Sequence, residues 1–499
     1  MKHHHRQQSE SAGHLGNLTP EQWDALGEIW SFLLHLWYSE PSSPTRSSMN
    51  LRRISIHHSD QASQDDSPLS PTSPGATGTG SRHHYGSHCH ETRPNGPHPA
   101  SPTRLNQPFH QPSIASSPPT SNPPLQGNIN GHNNIFLPGG AAAAAAALKR
   151  SATKLKPWLP SKKFTFKYSS AEYHTAFWEF VQSEHPDTTI LRFLRARKWN
   201  VEKAMEMLIL ALEWRITMGV DEVVREGEEA LEAKYPGFLD QLKNGKVIFR
   251  GHDRQGRPLC LLNPSLHYQH AQSPQAVQKL SIYVIETARL MLQPPAETIS
   301  VLFDMSSFSM SNMDWPTVKF FIHAAEACYP ELLGVCVVHK APWLFGALWK
   351  AISPMLDPVI RAKIKFTSDR KELEEFVAPD QLMQNKAFEG EDPVPYQYVE
   401  PIPGENKLML EDSEAKQQAL TRRREMELTF ERLTEIWQGQ KQLSSSIAVI
   451  QERQEVGARM AEMWWAAEPY MRARTVYHRV GAIHPPRPSP STGQKVVLV

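Results

Sequence analysis

The chain has 499 residues, 41 of them proline, and carries 53 Lys and Arg against 52 Asp and Glu for a net charge of +1. This balance excludes nucleic-acid binding through overall positive charge, and a hydrophobic content of 39% indicates that part of the chain does not fold. The four cysteines form no CxxC pair, which favours reduced thiols over a disulfide framework or a zinc site. Residues 1–10 are too polar for a signal peptide, and no stretch reaches the ~18 apolar residues of a membrane-spanning helix. We therefore expect a cytoplasmic protein without a metal site.

Residues 1–40 are predicted to contain an amphipathic docking helix. Thr19 and Gln22 form a capping-box pattern just before an apolar stripe at helical spacing. The stripe consists of Trp23, Leu26, Trp30, Leu33 and Trp37. The polar side of this helix is acidic and lacks Lys and Arg, which favours packing on the protein's own body over contact with a membrane.

Residues 41–150 are rich in Pro, Ser and His and are predicted to be a disordered linker. Too few large apolar side chains occur here to offset the entropy lost on folding. His83, His84, His88, Cys89 and His90 are metal ligands by type, but we expect no metal site because no fold holds them in place. Ser-Pro steps in this segment are candidate phosphorylation sites, although linker composition explains them equally well.

The remaining chain is predicted to form three folded parts. A small helical module over 158–225 contains one helix capped by Asp187 and another capped by Asn200. Residues 235–395 alternate between apolar strands and helices, which predicts a mixed or parallel sheet with helices packed on it. The strand segments are 247–250, 259–262, 300–305, 335–338 and 364–367. Residues 405–485 are predicted to be a C-terminal helical extension. The fold class is therefore α/β.

No catalytic motif is present: the sequence lacks GxSxG, HExxH and GxxxxGK[ST]. Asp304 ends an apolar strand, where a catalytic acid can lie, but a hydrogen-bond acceptor for the next loop is the better interpretation. His323 and His339 are interpreted as structural histidines. We expect no catalytic residues, and we predict that the protein is not an enzyme.

The most distinctive segment is an apolar helix near residue 350. Phe345, Leu348, Trp349 and Ile352 recur at helical spacing, and Leu344 adds to the apolar surface. A helix of this kind is usually buried in a core. It could also be a lid that covers an apolar cavity and meets the bilayer when it opens.

Four segments resemble the CRAL-TRIO lipid-transfer family, and most closely the fungal phosphatidylinositol-transfer proteins of the secretory-pathway type. They are ILRFLRARKWNVEKA, HDRQGRPLCLL, CYPELLGVCVVHKAPWLF and LDPVIRAKI, in that order between residues 190 and 364. The resemblance implies a helical CRAL-TRIO N-terminal module, and a lipid-binding domain over 235–395 with helices around a lipid pocket. It also makes Leu344, Phe345, Leu348, Trp349 and Ile352 the gate of that pocket.

The family's headgroup-binding residues match Arg197, Lys198, Glu331 and Lys363 in this chain. Arg and Lys would neutralise a phosphodiester, and a carboxylate would accept hydrogen bonds from inositol hydroxyls. Other positions depart from the family. Leu332 and Ile360 replace polar residues, and apolar side chains stand where choline-lipid-binding members carry hydroxyls. These apolar residues are Ile299, Val301 and Ala325.

The resemblance implies a carrier that binds phosphatidylinositol as its ligand, without a cofactor, and touches membranes transiently. Two alternatives stay open. One is a carrier of a neutral hydrophobic ligand such as squalene. The other is a lipid-sensing scaffold that presents lipid to lipid kinases or other lipid-metabolism enzymes.

Overall fold

The computed structural model describes residues 12–38, 165–440 and 443–486. The predicted linker over 41–150, with its Ser-Pro steps and the histidines around Cys89, lies outside these residues. Within the three described ranges, every helix is too short or too polar to span a lipid bilayer.

The described chain begins with α1 (Pro20–Tyr38), a helix that is buried along most of its length. Gln22 and Thr19 exchange the two hydrogen bonds of a capping box at its start. Trp30 is fully buried and its ring lies 5.5 Å from that of Phe177 in the following helical module. The apolar side of α1 therefore packs inside the protein.

A bundle of short helices follows α1. These helices are α2 (Ser170–Val181), α3 (Pro186–Ala196), α4 (Val201–Thr217), α5 (Val220–Glu226), α6 (Glu228–Lys234) and α7 (Phe238–Lys243). The predicted cap of α4 is confirmed, because the Asn200 side chain accepts a hydrogen bond from the Lys203 amide. The predicted cap of α3 is wrong, since His185 occupies the cap position and Asp187 lies in the first turn.

Asp187 instead forms a fully buried ion pair with Arg453, which comes from a C-terminal helix. The indole of Trp30 donates to the same carboxylate over 2.7 Å. Burying two charges costs free energy that their mutual contact and the added hydrogen bond offset. The carboxylate of α3 thus ties the first helix and the C-terminal helices to the helical module.

The sheet has five strands in the order β1-β2-β3-β4-β5. The strands are β1 (Val247–His252), β2 (Pro258–Leu262), β3 (Ile299–Asp304), β4 (Leu333–His339) and β5 (Ile364–Thr367). The first pair is antiparallel and the other three pairs are parallel. The five predicted strands and the mixed sheet are confirmed.

Helices α8 (Pro274–Leu290), α9 (Trp315–His323) and α10 (Phe345–Ile352) connect these strands. The helical segment after β3 consists of two elements, because α9 passes into a π-helical turn at Ala324–Cys328. Short helices α11 (Pro358–Ala362) and α12 (Arg370–Leu373) flank β5. The predicted α/β fold, a sheet with helices packed on it, is therefore confirmed.

Alternate residues of the strands face opposite sides of the sheet. One side packs against the segment that follows β5, through a cluster that includes Leu259, Leu302, Val337, Leu373, Leu382 and Phe388. The other side faces α8, α9 and α10.

The C-terminal part consists of α13 (Lys407–Leu410), α14 (Glu414–Gly439), α15 (Leu443–Met471) and α16 (Val476–Arg479). The two long helices pack against each other and against the helical module. Arg472 at the end of α15 lies 3.8 Å from Glu286 on α8, which also contacts Arg215 of α4. The buried carboxylate of Glu286 therefore joins α8 to both helical parts.

Candidate functional site

A cavity of about 380 Å³ lies between the sheet and the helices α8, α9 and α10. Its floor consists of side chains at alternate strand positions: Cys260, Leu262, Val301, Phe303, Cys336 and Val338. Its walls include Val284 of α8 and Phe321 of α9. Ligand pockets are commonly ~300–1,000 Å³ and mostly apolar, so both the size and the lining fit a hydrophobic molecule.

Helix α10 covers one side of this cavity. Phe345, Trp349 and Ile352 line it, whereas Leu348 is buried among neighbouring apolar side chains and Leu344 lies partly buried just before the helix. All five predicted gate residues therefore lie at the cavity's cover, and three of them face its interior.

Aromatic contacts help to hold the cover in place. The Trp349 ring lies 5.1 Å from Phe366 on β5, and the Phe345 ring lies 6.2 Å from Phe308. Leu348 is the only buried residue of α10, and Trp343 just before the helix is 93% exposed. A short helix with few buried residues is attached less firmly than α8, most of which is buried.

Two of the predicted headgroup residues, Glu331 and Lys363, lie just before β4 and β5. A Glu331 carboxylate oxygen accepts a hydrogen bond from Nε of Arg195 over 2.5 Å. Lys363 Nζ donates to the carbonyl of Leu333 over 2.6 Å. Neither side chain lines the cavity, but the residues that follow them, Leu332 and Ile364, do. The pair thus lies beside one end of the cavity.

The charges of two arginines act on Lys363, although Arg192 is paired with Glu184 and Arg257 with Asp253. Burial lowers the pKa of Lys363, and the charges of Arg257 and Arg192 lower it further, while Glu331 acts in the opposite direction. A nearby anion stabilises the charged form of a lysine whose pKa is lowered in this way.

The other two predicted headgroup residues lie at the end of α3. Lys198 is exposed, and Arg197 is half-buried with its charge acting on Glu326, whose pKa burial raises. Lys198 and Glu331 both have left-handed backbone angles, with φ of 51° and 60°. Such conformations cost free energy in residues other than glycine and are frequent at binding sites. Arg197 therefore acts on the carboxylate of Glu326, which is a different acid from Glu331.

Sequence reasoning missed the two arginines of α3 that contact Glu331. Arg192 donates to the Glu331 carbonyl over 3.3 Å, and Arg195 binds its carboxylate. Arg195 also donates to the carbonyl of Gly13, in the segment before α1. The spacing of Arg192 and Arg195 puts both on one helix face, and this is the signal that could have identified them.

The positions that depart from the family pattern also have clear locations. Ile299, Val301 and Ala325 all line the cavity, as does Leu332. Ile360 lies in α11, between the cavity cover and Lys363 in the chain. The side chains of Ile299, Val301 and Ala325 therefore offer no hydroxyl groups to the cavity.

Three residues considered for chemistry have structural partners. Asp304 accepts hydrogen bonds from the amide and the hydroxyl of Ser306, so it stabilises the loop after β3. His339 is fully buried between Thr367 and the Ala387 carbonyl, and His323 lies 3.7 Å from the Cys328 sulfur. Among the described residues, no group of three or more potential ligands is arranged to hold a metal ion.

Comparison with known proteins matches two family models to this chain. The model described as CRAL/TRIO, N-terminal domain, matches residues 152–210, and the CRAL/TRIO domain model matches residues 242–386. A solved structure titled "Crystal structure of Sfh5" aligns with 46% of this chain and 91% of its own chain, with a TM-score of 0.34 and 13% sequence identity.

Curated relatives align over most of their length. A CRAL-TRIO domain-containing protein of Schizosaccharomyces pombe is 39% identical over 65% of this chain and 72% of its own. The phosphatidylinositol transfer protein CSR1 of Eremothecium gossypii is 36% identical over 62% of this chain and 70% of its own. The phosphatidylinositol transfer protein PDR17 of Saccharomyces cerevisiae is 30% identical over 38% and 54%, respectively. The family resemblance is confirmed, and the chain belongs to the CRAL-TRIO family of lipid-binding and lipid-transfer proteins.

Proposed function

We propose that this protein binds phosphatidylinositol and transfers it between membranes, without catalysing a reaction. The observation that carries the proposal is the apolar cavity of about 380 Å³ with a cluster of basic residues beside one of its ends. Acyl chains match the cavity wall, and a phosphodiester matches the cations around Lys363. Two relatives named phosphatidylinositol transfer proteins support the same ligand.

The cavity would solve the energetic problem of lipid transport. Each CH₂ removed from water contributes about 0.8 kcal/mol, so one long acyl chain contributes on the order of 10 kcal/mol. A lipid therefore leaves a bilayer slowly on its own. A carrier that keeps the chain in an apolar cavity removes most of this cost.

Helix α10 would act as the gate of the carrier. In the closed state Phe345, Trp349 and Ile352 cover the cargo. At a membrane the same apolar residues would exchange their contacts inside the protein for contacts with lipid. The exposed Trp343 would enter the interface first, because Trp side chains favour the headgroup region of bilayers.

Arg197, Lys198, Glu331 and Lys363 would bind the headgroup. Lys363 and the arginine–lysine pair would neutralise the phosphodiester, and Glu331 would accept hydrogen bonds from inositol hydroxyls. Since Glu331 is held by Arg195 in this structure, headgroup binding would compete with that ion pair or extend it. The protein would work in the cytoplasm and at membrane surfaces, where lipid-metabolism enzymes could receive its cargo.

The test combines identification of the bound lipid with a transfer assay. Mass spectrometry of the natively purified protein should detect phosphatidylinositol.

Replacing Lys363 by Ala should reduce phosphatidylinositol transfer between vesicles at least about tenfold, because a charge-assisted hydrogen bond contributes ~1.5–3 kcal/mol. Lys365→Ala removes an exposed cation two residues further along, in β5, and serves as the control. Burial already disfavours the Lys363 charge, so thermal stability should change little. Equal transfer by Lys363→Ala and Lys365→Ala would contradict the headgroup role.

A neutral hydrophobic cargo such as squalene is the second candidate. The apolar side chains of Ile299, Val301 and Ala325 in the cavity wall favour it, because they offer no hydrogen bonds to a polar cargo. Recovery of a neutral terpenoid or sterol instead of phosphatidylinositol would assign this function and remove the role of Lys363. Tight loading without transfer, with recovery of a lipid kinase in pull-downs, would instead support the scaffold.

A further inference from the structure

The cavity has a second polar region, formed by Lys246, His267 and Asp314. All three residues line it. Lys246 immediately precedes β1, His267 follows β2, and Asp314 caps α9. None of them belongs to the predicted headgroup site.

These side chains form a connected chain of hydrogen bonds. Lys246 Nζ lies 3.0 Å from the Gln241 side-chain oxygen, 3.2 Å from that of Gln272 and 3.3 Å from Nδ1 of His267. Nε2 of His267 lies 3.1 Å from the Asp314 carboxylate. Thr317 donates to that carboxylate through its amide and its hydroxyl, so the acid is fixed in place.

Lys246 is a buried cation whose direct hydrogen-bond partners are all uncharged. The residue is 7% exposed, yet its three partners are uncharged groups, and Asp314 is reached only through His267. Burial lowers the pKa of Lys246 to about 8, and the Asp314 charge only partly opposes this shift. Fully buried lysines are rare unless they are paired with an acid. Glu286 in the same chain illustrates the usual arrangement, with Arg215 at 2.9 Å.

The topology places Lys246 near the carboxyl ends of the parallel strands and Lys363 near their amino ends. Val247 pairs with Leu262 at the carboxyl end of β2, so Lys246 lies at that end. Glu331 and Lys363 precede β4 and β5, which run parallel to β2 and β3. A strand of five to six residues spans about 17–20 Å, and the cavity floor extends along this length. A single cargo molecule could therefore have a polar group at either end.

We propose that the Lys246 end of the cavity binds the carboxylate of a long-chain fatty or isoprenoid acid, whose hydrocarbon chain lies over the sheet. The carboxylate would supply the counter-charge that Lys246 lacks and would replace one of its amide contacts, while Asn263 and Thr317 line the same end. This inference rests on the proposed carrier role of the cavity. It does not rest on Arg197, Lys198, Glu331 or Lys363.

The experiment compares three cargoes that differ only at their polar end. Full-length protein is incubated with phosphatidylcholine vesicles that contain oleate, methyl oleate or oleyl alcohol, and the retained lipid is quantified by mass spectrometry. We expect at least about tenfold more oleate than methyl oleate, because one buried charge-assisted hydrogen bond corresponds to about that factor. Equal retention of oleate and methyl oleate overturns the proposal. Retention of oleyl alcohol at the level of oleate also overturns it, since recognition would then need no negative charge.

Variants at Lys246 locate the effect. Lys246→Met should abolish the preference for oleate, and Lys246→Arg should keep it, because only the arginine retains a cation. Phosphatidylinositol uptake is measured in the same samples. Circular dichroism and a cooperative thermal unfolding transition show whether Lys246→Met is folded, and a preference for oleate that persists in the folded variant contradicts the proposal. Should Lys246→Met fail to fold, Lys246→Gln provides the same test with a polar side chain. If the wild-type protein retains oleate but takes up no phosphatidylinositol, the result counts against phosphatidylinositol as its cargo and not against the proposed acid site.

Discussion

The two faces of the central sheet have nearly the same composition but different roles. Leu302 and Val337 point to one face and are almost fully buried in a solid cluster. Their neighbours Val301 and Val338 point to the other face and line a cavity of about 380 Å³. Apolar side chains thus form a core where the opposing chain fits closely, and a binding site where it does not. The nature of the strand residues does not decide between these outcomes.

The elements opposite each face explain the difference. The segment after β5 approaches the sheet very closely, and a side chain at Gly251 would lie 2.6 Å from the Gln381 carbonyl. On the other face, α8 is held by its outer side, where Glu286 contacts Arg215 of α4 and Arg472, just beyond α15. Such buried ion pairs hold the helix to its neighbours independently of any contact with the sheet. The cavity can therefore remain open without a loss of order in its wall.

The largest expected effect comes from truncating a residue of the filled face. Leu302→Ala should reduce the free energy of unfolding by about 2–5 kcal/mol, because it leaves a new hole in a close-packed cluster. Val301→Ala, one residue away on the cavity face, should cost about 1 kcal/mol or less. Chemical denaturation measures both values. Equal losses in the two variants would show that the faces are packed alike.

Acid should weaken the cavity wall through Glu286. The arginines around this buried carboxyl outweigh the effect of burial and lower its pKa from 4.5 to about 2. A lowered carboxyl pKa contributes stability that is complete above pH 4.5 and is lost as the pH falls towards 2, and the shift corresponds to about 3 kcal/mol. Unfolding free energies measured between pH 6 and pH 3 should fall accordingly. Glu286→Gln should be less stable at neutral pH and should show a shallower dependence on pH. An identical slope in the variant would assign the acid sensitivity to other groups.

Replacing a valine by phenylalanine should have opposite effects on the two faces of the sheet. Val337→Phe on the filled face should cost about 1–3 kcal/mol through overpacking. Val301→Phe should leave the unfolding free energy nearly unchanged, since its ring would enter open space, and should lower lipid loading several-fold. Denaturation and quantification of retained lipid together check the pair. Unchanged lipid loading in Val301→Phe would mean that the cavity does not hold the cargo.

The sequence was most informative where the relevant interactions are local. Strands and helices follow from alternation and helical spacing within a few residues, and the apolar stripe from Phe345 to Ile352 marks the helix that covers the cavity. The Asn200 cap was equally accessible, because the side chain and its partner are three residues apart. The headgroup role of Glu331 and Lys363 depends on family resemblance and stays a prediction.

Interactions between distant residues were not accessible in this way. Asp187 has the residue type and position of a helix cap, but its partner Arg453 is 266 residues away and draws it into the core. Arg195 meets Glu331 across 136 residues, and Lys246 meets His267 only because β1 and β2 form a hairpin. Local pattern therefore determined the elements and the apolar character of both sheet faces. Tertiary structure alone decided which face is filled, which charges are paired and where the cavity carries polar groups, because these depend on contacts between segments far apart in the chain.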